Sequence, residues 1–409
     1  MLVTDQCDVR RAVDGEGSGM PGGDRPWHVA AVVENVPYGQ DHRLRKQVDA
    51  MLAAGFDVSV VSMRHESNRP YRGQPHLTLL EHRPPPEPSG ARGYLVEYAW
   101  SFACEAVALA RLRLRRRIDV LQLCQPPDVY VPLARVMRWA GARVVVDQRD
   151  LMTELLAARY PGAPRAMTAV LRLLERWTQR VADRTLTVNE MLRERLVSAG
   201  GRPENVSVVW NGPVLSRVDA ARPDGTLREP GTRLVVWVGK MGLQDGAALL
   251  PELVETVVRT LDRPEVRFAF LGDGECLDDL RAEVTRRGLD PWVTLPGWVA
   301  EETVFAHLAS ADAGLDISQQ DEVTPVKALE YMAFGLPFVC FDLAETRRLA
   351  SGAAVLVDAG DVAGLAKALV ELIDGPEGPA LGGVGRRAVE ERLAWERQVP
   401  SYLAAVGPA

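Results

Sequence analysis

Two adjacent carboxylates, Asp321 and Glu322, precede Lys327 and a further carboxylate, Glu330, in the stretch Asp321-Glu322-Val-Thr-Pro-Val-Lys327-Ala-Leu-Glu330-Tyr-Met-Ala-Phe-Gly335-Leu-Pro337. Carboxylates can face a developing positive charge or bind hydroxyls, and a lysine beside a helix start can help to hold an anion. Thr324 is a good N-cap, and Pro325 suits the first helical turn. Val326, Leu329 and Ala333 then form an apolar stripe, while Lys327 and Glu330 share another face at i, i+3. Gly335 ends the helix, Pro337 forbids its continuation, and Phe338–Phe341 reads as a short buried strand. The pattern suits a cradle for a nucleotide diphosphate with Glu330 on ribose hydroxyls. A capped amphipathic helix with no ligand would show the same spacing.

Three further loops follow predicted strands: Gly239-Lys240-Met-Gly242-Leu-Gln244-Asp245-Gly246, Gly272-Asp273-Gly274 and Gly297-Trp298-Val299. Glycines there would let backbone approach a ligand, and Lys240 places a cation where a diphosphate would lie. Ordinary strand-to-helix turns would account for each glycine equally well.

The elements that must position these loops alternate. Trp27–Val33 and Phe56–Ser62 are apolar runs of buried-strand type around a helix over 41–54, stopped by Gly55. Residues 83–91 read as Pro-rich loop, and a long helix follows over 93–117. Strands are predicted at 120–123, 142–147, 185–188 and 206–210, with helices after Pro126-Pro127 and over 164–182 and 190–199. A second series has strands at 234–238, 266–271, 293–295, 313–315, 338–341 and 354–357. The fold class is therefore α/β with two doubly wound, Rossmann-like domains, and ligands are expected at the carboxyl ends of strands, in a central cleft that the domains face. The expected boundaries are a disordered tail over 1–25, an acceptor-binding domain over 26–213, a linker over 214–232, a nucleotide-sugar-binding domain over 233–390, and a C-terminal helix over 391–409 packing back on the first domain.

A chain of 409 residues with 47% hydrophobic and 25% charged residues suits two soluble globular domains. The net charge of −7 argues against nucleic acid as a general partner. Five scattered cysteines, with no paired spacing and no His cluster, suit a reducing cytoplasmic setting and offer no metal site. Neither a signal peptide nor an 18-residue apolar span is visible.

Taken in order, the motifs resemble those of retaining glycosyltransferases of the family-4 type, with the GT-B fold, and among them bacterial members of exopolysaccharide and capsule assembly. Matching residues include Asp41-His42-Arg43-Leu-Arg45, Gln125-Pro-Pro-Asp128, Val146-Asp147-Gln-Arg149-Asp150, Asn211-Gly212-Pro213, the four second-domain loops and Leu393-Ala-Trp395-Glu396. The resemblance implies a nucleotide-sugar donor, UDP- or GDP-linked, no other cofactor and no metal. It places Gly239, Lys240, Gly242, Gln244, Gly272, Asp273, Gly274, Trp298, Val299, Thr324, Lys327 and Glu330 on the donor. Lys240 would bind the diphosphate, Glu330 the ribose, and the backbone beside Val299 the base. Either Glu322 or Asp321 would face the transferred sugar. The resemblance places Tyr38, Gly39, Asp41, Arg43, Asp128 and Asp150 on the acceptor side.

Two departures stand out. Arg149 occupies a position where relatives commonly carry His, and Asp245 one where many carry Lys. Arginine cannot act as a base, but it could contact the donor's sugar or phosphates, and His42 is then a candidate acid/base. The acceptor would be a lipid-linked glycan or a small metabolite. The basic run Arg111–Arg117 could rest on anionic lipid, giving peripheral contact at the inner membrane face, or could simply be a solvated helix end. A nucleotide-sugar epimerase of the same fold and a degenerate transferase kept as a partner subunit are the competing functions.

Overall fold

The first apolar runs become parallel strands β1 (His28–Val32), β2 (Asp57–Met63), β3 (Leu77–His82), β4 (Val120–Gln125), β5 (Arg143–Gln148), β6 (Arg184–Thr187) and β7 (Val206–Val208). Near-continuous Val, Ile and Leu suits strands covered by helices on both faces, and Val29–Val33, Val120–Leu123 and Val144–Val146 are all buried. The strands order as β3-β2-β1-β4-β5-β6-β7, so the direction of winding reverses between β1 and β4. Helices close the core: Leu109 and Leu112 from Gly90–Arg115, and Leu133 and Met137 from Val131–Trp139, pack on β1, β4 and β5.

The second series gives β8 (Arg233–Val238), β9 (Val266–Leu271), β10 (Val293–Gly297), β11 (Ala313–Asp316), β12 (Phe338–Phe341) and β13 (Ala354–Val357). These are also parallel and order as β10-β9-β8-β11-β12-β13, with the reversal between β8 and β11. Their core joins Val235, Trp237, Phe268 and Phe270 to Leu250, Leu253, Leu365 and Leu369 from covering helices.

This computed structural model describes residues 25–34, 36–85, 90–159, 162, 164–242, 245–320, 324–350 and 352–408. The chain forms two compact units. The first runs up to Trp210 and takes back Gln398–Ala409; the second is Asn211–Arg397. The helix Trp395–Val406 therefore starts in the second unit and ends in the first. Inside the first unit, Tyr402 donates to Gln122 Oε1 (2.7 Å), and Trp27 Nε1 donates to the Val406 carbonyl (2.9 Å).

Some expected elements shift. β3 was not anticipated: it is an edge strand in which only Leu77 is buried, so the apolar signal is weak. The long helix is Gly90–Arg115, a little N-terminal of its expected span. Residues 214–232, read as linker, contain the helix Leu215–Ala220, whose Arg217 pairs with Glu301 (2.8 Å) and whose Asp219 pairs with Arg386 (2.8 Å). Residues 1–24 of the expected tail lie outside the described residues, whereas Arg25 pairs with Asp119 (2.7 Å).

Candidate functional site

In the second unit, the loops after β8, β9 and β10 are sewn together by backbone. Gly239 N donates to Leu271 O (3.0 Å), Met241 N to Asp273 O (2.9 Å) and Gly272 N to Gly297 O (3.0 Å). The glycines make this approach possible. Gly272 has φ +144, and a Cβ there would lie 1.8 Å from the Gly239 carbonyl oxygen. A Cβ on Gly274 would meet Met241 O at 2.5 Å. Gly272 and Gly274 are thus required by loop-to-loop packing. At Gly239 a Cβ would lie 3.1 Å from Lys327 Cε, and at Gly242 3.0 Å from Asp245 Oδ2. Asp273 caps its own turn, its Oδ1 accepting from Gly274 N (2.8 Å).

Lys327 sits one residue inside the helix Val326–Ala333, and only 9% of its side chain is exposed. Its ammonium donates to Ser318 Oγ (2.9 Å) and Asp316 Oδ1 (3.4 Å), lies 4.0 Å from Asp245 Oδ1, and stands 5.4 Å from the centre of the Trp237 ring. Burial pushes the Asp245 carboxyl up, with Lys327 and then Lys240 pulling the other way. Asp245 Oδ2 and Asp316 Oδ2 are buried without a hydrogen-bond partner. Lys240, by contrast, is 65% exposed and only loosely paired with Glu275, at 4.0 Å. One cation is thus held inside a carboxylate pair while another is presented to solvent, both beside the β8–β11 reversal.

The helix begins one residue later than expected. Pro325 occupies the cap position with no side-chain cap, and buried Thr324 accepts from Val326 N through its carbonyl (2.8 Å). Glu330 is half-buried one turn on from Lys327. Tyr331 anchors the helix, donating to Leu315 O (2.9 Å) and accepting from Val238 N (3.2 Å). Trp298 is 74% exposed just beyond β10, with Val299 half-buried beside it. Gln244, Asp321 and Glu322 lie outside the described residues.

In the first unit a polar network runs inward from the carboxyl end of the sheet. Arg149 donates through Nη1 to Asp41 Oδ2 (2.6 Å) and through Nε to Asp147 Oδ2 (3.1 Å). Arg43, 4% exposed, grips Asp147 through Nη2 (2.7 Å) and Nε (3.0 Å), and its Nη1 reaches Val209 O (2.8 Å). Gln47 donates to Asp147 (3.1 Å), and Gln122 donates to Gln47 (2.8 Å). Burial alone would raise Asp147, but the guanidiniums of Arg43 and Arg149 bring it down to about 2. Arg43 is therefore an internal brace and not a ligand-facing group. Arg149 is engaged by two carboxylates.

Of the other acceptor-side candidates, Tyr38, Asp41 and Asp128 also sit deep. Tyr38 is buried edge-on to Tyr71, with ring centres 5.1 Å apart. Gly39 donates to Asn68 Oδ1 (2.8 Å), and a Cβ there would lie 2.0 Å from Ser67 O. Asp41 caps the helix His42–Ala53 through Leu44 N (2.9 Å). Asp128 is buried, its carboxyl pushed up to about 7 by burial. His42 is exposed, with Nδ1 against Arg45 Nη2 (2.6 Å), and Asp150 is exposed. Sequence reasoning had not placed Asp316, Ser318 and Trp237 around Lys327, or Gln47, Gln122 and Asp147 in the network around Arg43. The available signal was a polar residue within or near the end of an apolar strand, as at Gln122, Asp147 and Asp316.

Two family models match the chain side by side: "Glycosyl transferase 4-like domain" over residues 39–212 and "Glycosyl transferases group 1" over residues 232–375. The sulfoquinovosyl transferase SQD2 of Arabidopsis thaliana is 29% identical over 171 residues, which is 40% of this chain and 31% of that protein. Among solved structures, Anabaena HepE in complex with UDP-glucose superposes with a TM-score of 0.71 at 16% identity, covering 92% of this chain and 99% of HepE. The sucrose-phosphate synthase of Thermosynechococcus elongatus gives 0.73 at 17% identity, covering 92% and 97%. With both halves matched in order and the two parallel sheets in place, the chain belongs to the family-4-type glycosyltransferases of GT-B fold.

Proposed function

We propose that this glycosyltransferase moves a hexose-type sugar, with retention, from a UDP- or GDP-linked donor to a hydroxyl of a lipid-linked glycan or small metabolite, without a metal. The observation that carries the donor reading is the cluster at the β8–β11 reversal. There an exposed Lys240, a helix start and the half-buried Glu330 lie at the carboxyl ends of parallel strands, where α/β sheets bind ligands. HepE, which shares the fold, was solved with UDP-glucose.

In this reading Lys240 meets the diphosphate and Glu330 accepts from the ribose hydroxyls. Lys327 acts from beneath, its charge shared with Asp316 and Asp245. The bond from the sugar's anomeric carbon to the diphosphate oxygen breaks, and the acceptor oxygen bonds to the same face. The acceptor proton passes to the departing phosphate. Asp321 or Glu322 faces the positive charge that develops on the sugar. Catalysis is then alignment plus electrostatic stabilisation of the leaving group. Arg149, held between Asp41 and Asp147, keeps its charge and serves no proton transfer.

That same pairing favours one second reading, a degenerate transferase kept as a partner subunit. A thermal-shift series with UDP, GDP, ADP and their sugars separates the two, since a ligand of the native state raises its melting point. UDP or GDP should stabilise the wild type, and Glu330→Ala should lose at least about tenfold in affinity, the scale of one or two lost hydrogen bonds to a carboxylate. If no nucleotide binds, the enzyme reading fails. If an epimer of the donor sugar forms without acceptor, the chain is an epimerase.

A further inference from the structure

The helix Arg165–Val181 buries polar residues and exposes an apolar stripe. Its polar residues Glu175, Thr178 and Gln179 are buried. Glu175 accepts from Thr153 N (3.0 Å) and Oγ1 (2.9 Å), and Gln179 Oε1 accepts from Thr185 (2.9 Å). Four of its apolar residues look outward: Met167 is 37% exposed, Val170 55%, Leu173 42% and Trp177 45%, while Leu171 and Leu174 are half-buried and Val181 is buried. At 3.6 residues per turn these four fall on one stripe, the side that an amphipathic helix ordinarily lays on its core.

Beside the stripe lies a cationic one. Arg165, Arg172, Arg176 and Arg180 are all exposed, and among the described residues none of them is hydrogen-bonded or ion-paired. The one acidic residue of this helix, Glu175, is the inward-facing one. A chain of net charge −7 thus presents a surface here that is apolar and positive, with no exposed acid on the helix. The surface has a neighbour of the same character. Arg138 Nη1 donates to Val181 O (3.1 Å), tying Val131–Trp139 to the end of the helix, and Trp139 there is 77% exposed beneath the Arg135 guanidinium.

Charge decides what covers such a face. A second copy of the chain, meeting it by two-fold symmetry, would set arginines against arginines. A nucleic acid would neutralise the arginines and leave the apolar stripe wet. A bilayer with anionic headgroups satisfies both lines at once, taking Trp, Val, Leu and Met at the acyl boundary and the guanidiniums at the phosphates. The Arg111–Arg117 run is less suited, because Arg116 is bonded to His28 (3.1 Å) and Arg117 to Asp119 (3.1 Å).

We propose that the Arg165–Val181 helix docks this protein on an anionic lipid bilayer, with Met167, Val170, Leu173 and Trp177 inserted at the surface. The docking is independent of which sugar or acceptor is used. Flotation of the full chain with vesicles tests it. The wild type should float with phosphatidylcholine vesicles containing phosphatidylglycerol, remain behind with phosphatidylcholine alone, and detach as salt is raised. The double variant Val170→Glu/Trp177→Glu should lose about tenfold or more in vesicle binding, since two apolar contacts become charges at the interface. Both positions are exposed, so its melting temperature and its response to nucleoside diphosphates should match the wild type. Arg172→Glu/Arg176→Glu should abolish the preference for phosphatidylglycerol. A wild type that does not float with anionic vesicles overturns the proposal. So does a wild-type dimer that Val170→Glu/Trp177→Glu splits while vesicle binding stays unchanged.

Discussion

Arg43 and Lys327 are the two cations whose surroundings most change their meaning. Each sits on a helix beside a motif, where type and spacing suggest a ligand contact. Each is instead enclosed by carboxylates supplied from distant strands, Asp147 for Arg43 and Asp316 for Lys327. Burial is a tertiary property, so neither enclosure was legible locally; Lys240 and Glu330, placed by the same reasoning, do lie at the surface or half-buried. Asp128 shows the consequence for pH. An unfolded Asp titrates near about 4, whereas burial holds Asp128 protonated up to about 7. Between those values the native state binds a proton that the unfolded chain has lost, so stability falls as pH rises, by up to about 1.4 kcal/mol per pH unit. Glu34, pushed up to about 7 mainly by burial, adds to the same slope. Asp147 works oppositely: its contribution is complete above the unfolded value and is lost as pH falls toward about 2. Urea midpoints at about pH 5 and about pH 7 should therefore favour the lower pH in the wild type, and Asp128→Asn should flatten much of that difference. An unchanged slope in the variant would mean that Asp128 ionises normally.

At the scale of elements, apolar runs located most strands because a strand covered on both faces leaves no other pattern. β3 escaped since an edge strand carries mixed residues, and residues 215–220 escaped because Pro and Gly nearby mimic a linker. The loops were legible as glycine-rich, but the reason for their glycines was not. Sequence reasoning left ligand approach and ordinary turns equally open, whereas Gly272 and Gly274 make room for neighbouring backbone. Gly272→Ala should accordingly strain the backbone and drive a methyl into the Gly239 carbonyl, costing several kcal/mol, more than the roughly 1–3 kcal/mol of backbone strain alone. Gly288→Ala is the control. It also has a positive φ, +62, but its Cβ would meet nothing nearer than Arg259 Nη2 at 3.6 Å. Its cost should stay at roughly 1–2 kcal/mol. Calorimetric melting of the two variants, with and without UDP, compares them directly; equal losses would contradict the packing account.

For the molecule as a whole, the repeated strand–helix alternation made two α/β units legible, and the motif order made the family so. The crossings were expected at residue 213 and at a C-terminal helix over 391–409 that packs back; the chain leaves the first unit after Trp210 and re-enters it at Gln398, inside a helix. Residues 398–409 bring Tyr402 to Gln122 and the Val406 carbonyl to Trp27. Ending the chain at Arg397 should lower the melting temperature of the first unit and leave that of the second, and its nucleotide response, in place. A calorimetric trace with two resolved transitions, only one of which moves, is the expected outcome. Loss of both together would show that the units fold as one.

The re-entry also makes the second unit an uninterrupted insert. Trp210 N bonds to Gln398 Oε1 (3.2 Å) on one side of the crossing, and Trp395 N bonds to Pro213 O (2.9 Å) on the other. The insert thus leaves and returns at neighbouring points, as a cassette does. Residues 211–397 can be lifted out as a single piece of gene, with the flanks rejoined by a short bridge, and a homologous cassette set in their place. If the second unit holds the donor, as proposed, donor preference travels with the exchanged piece, and the helix with the outward tryptophan stays behind with the recipient.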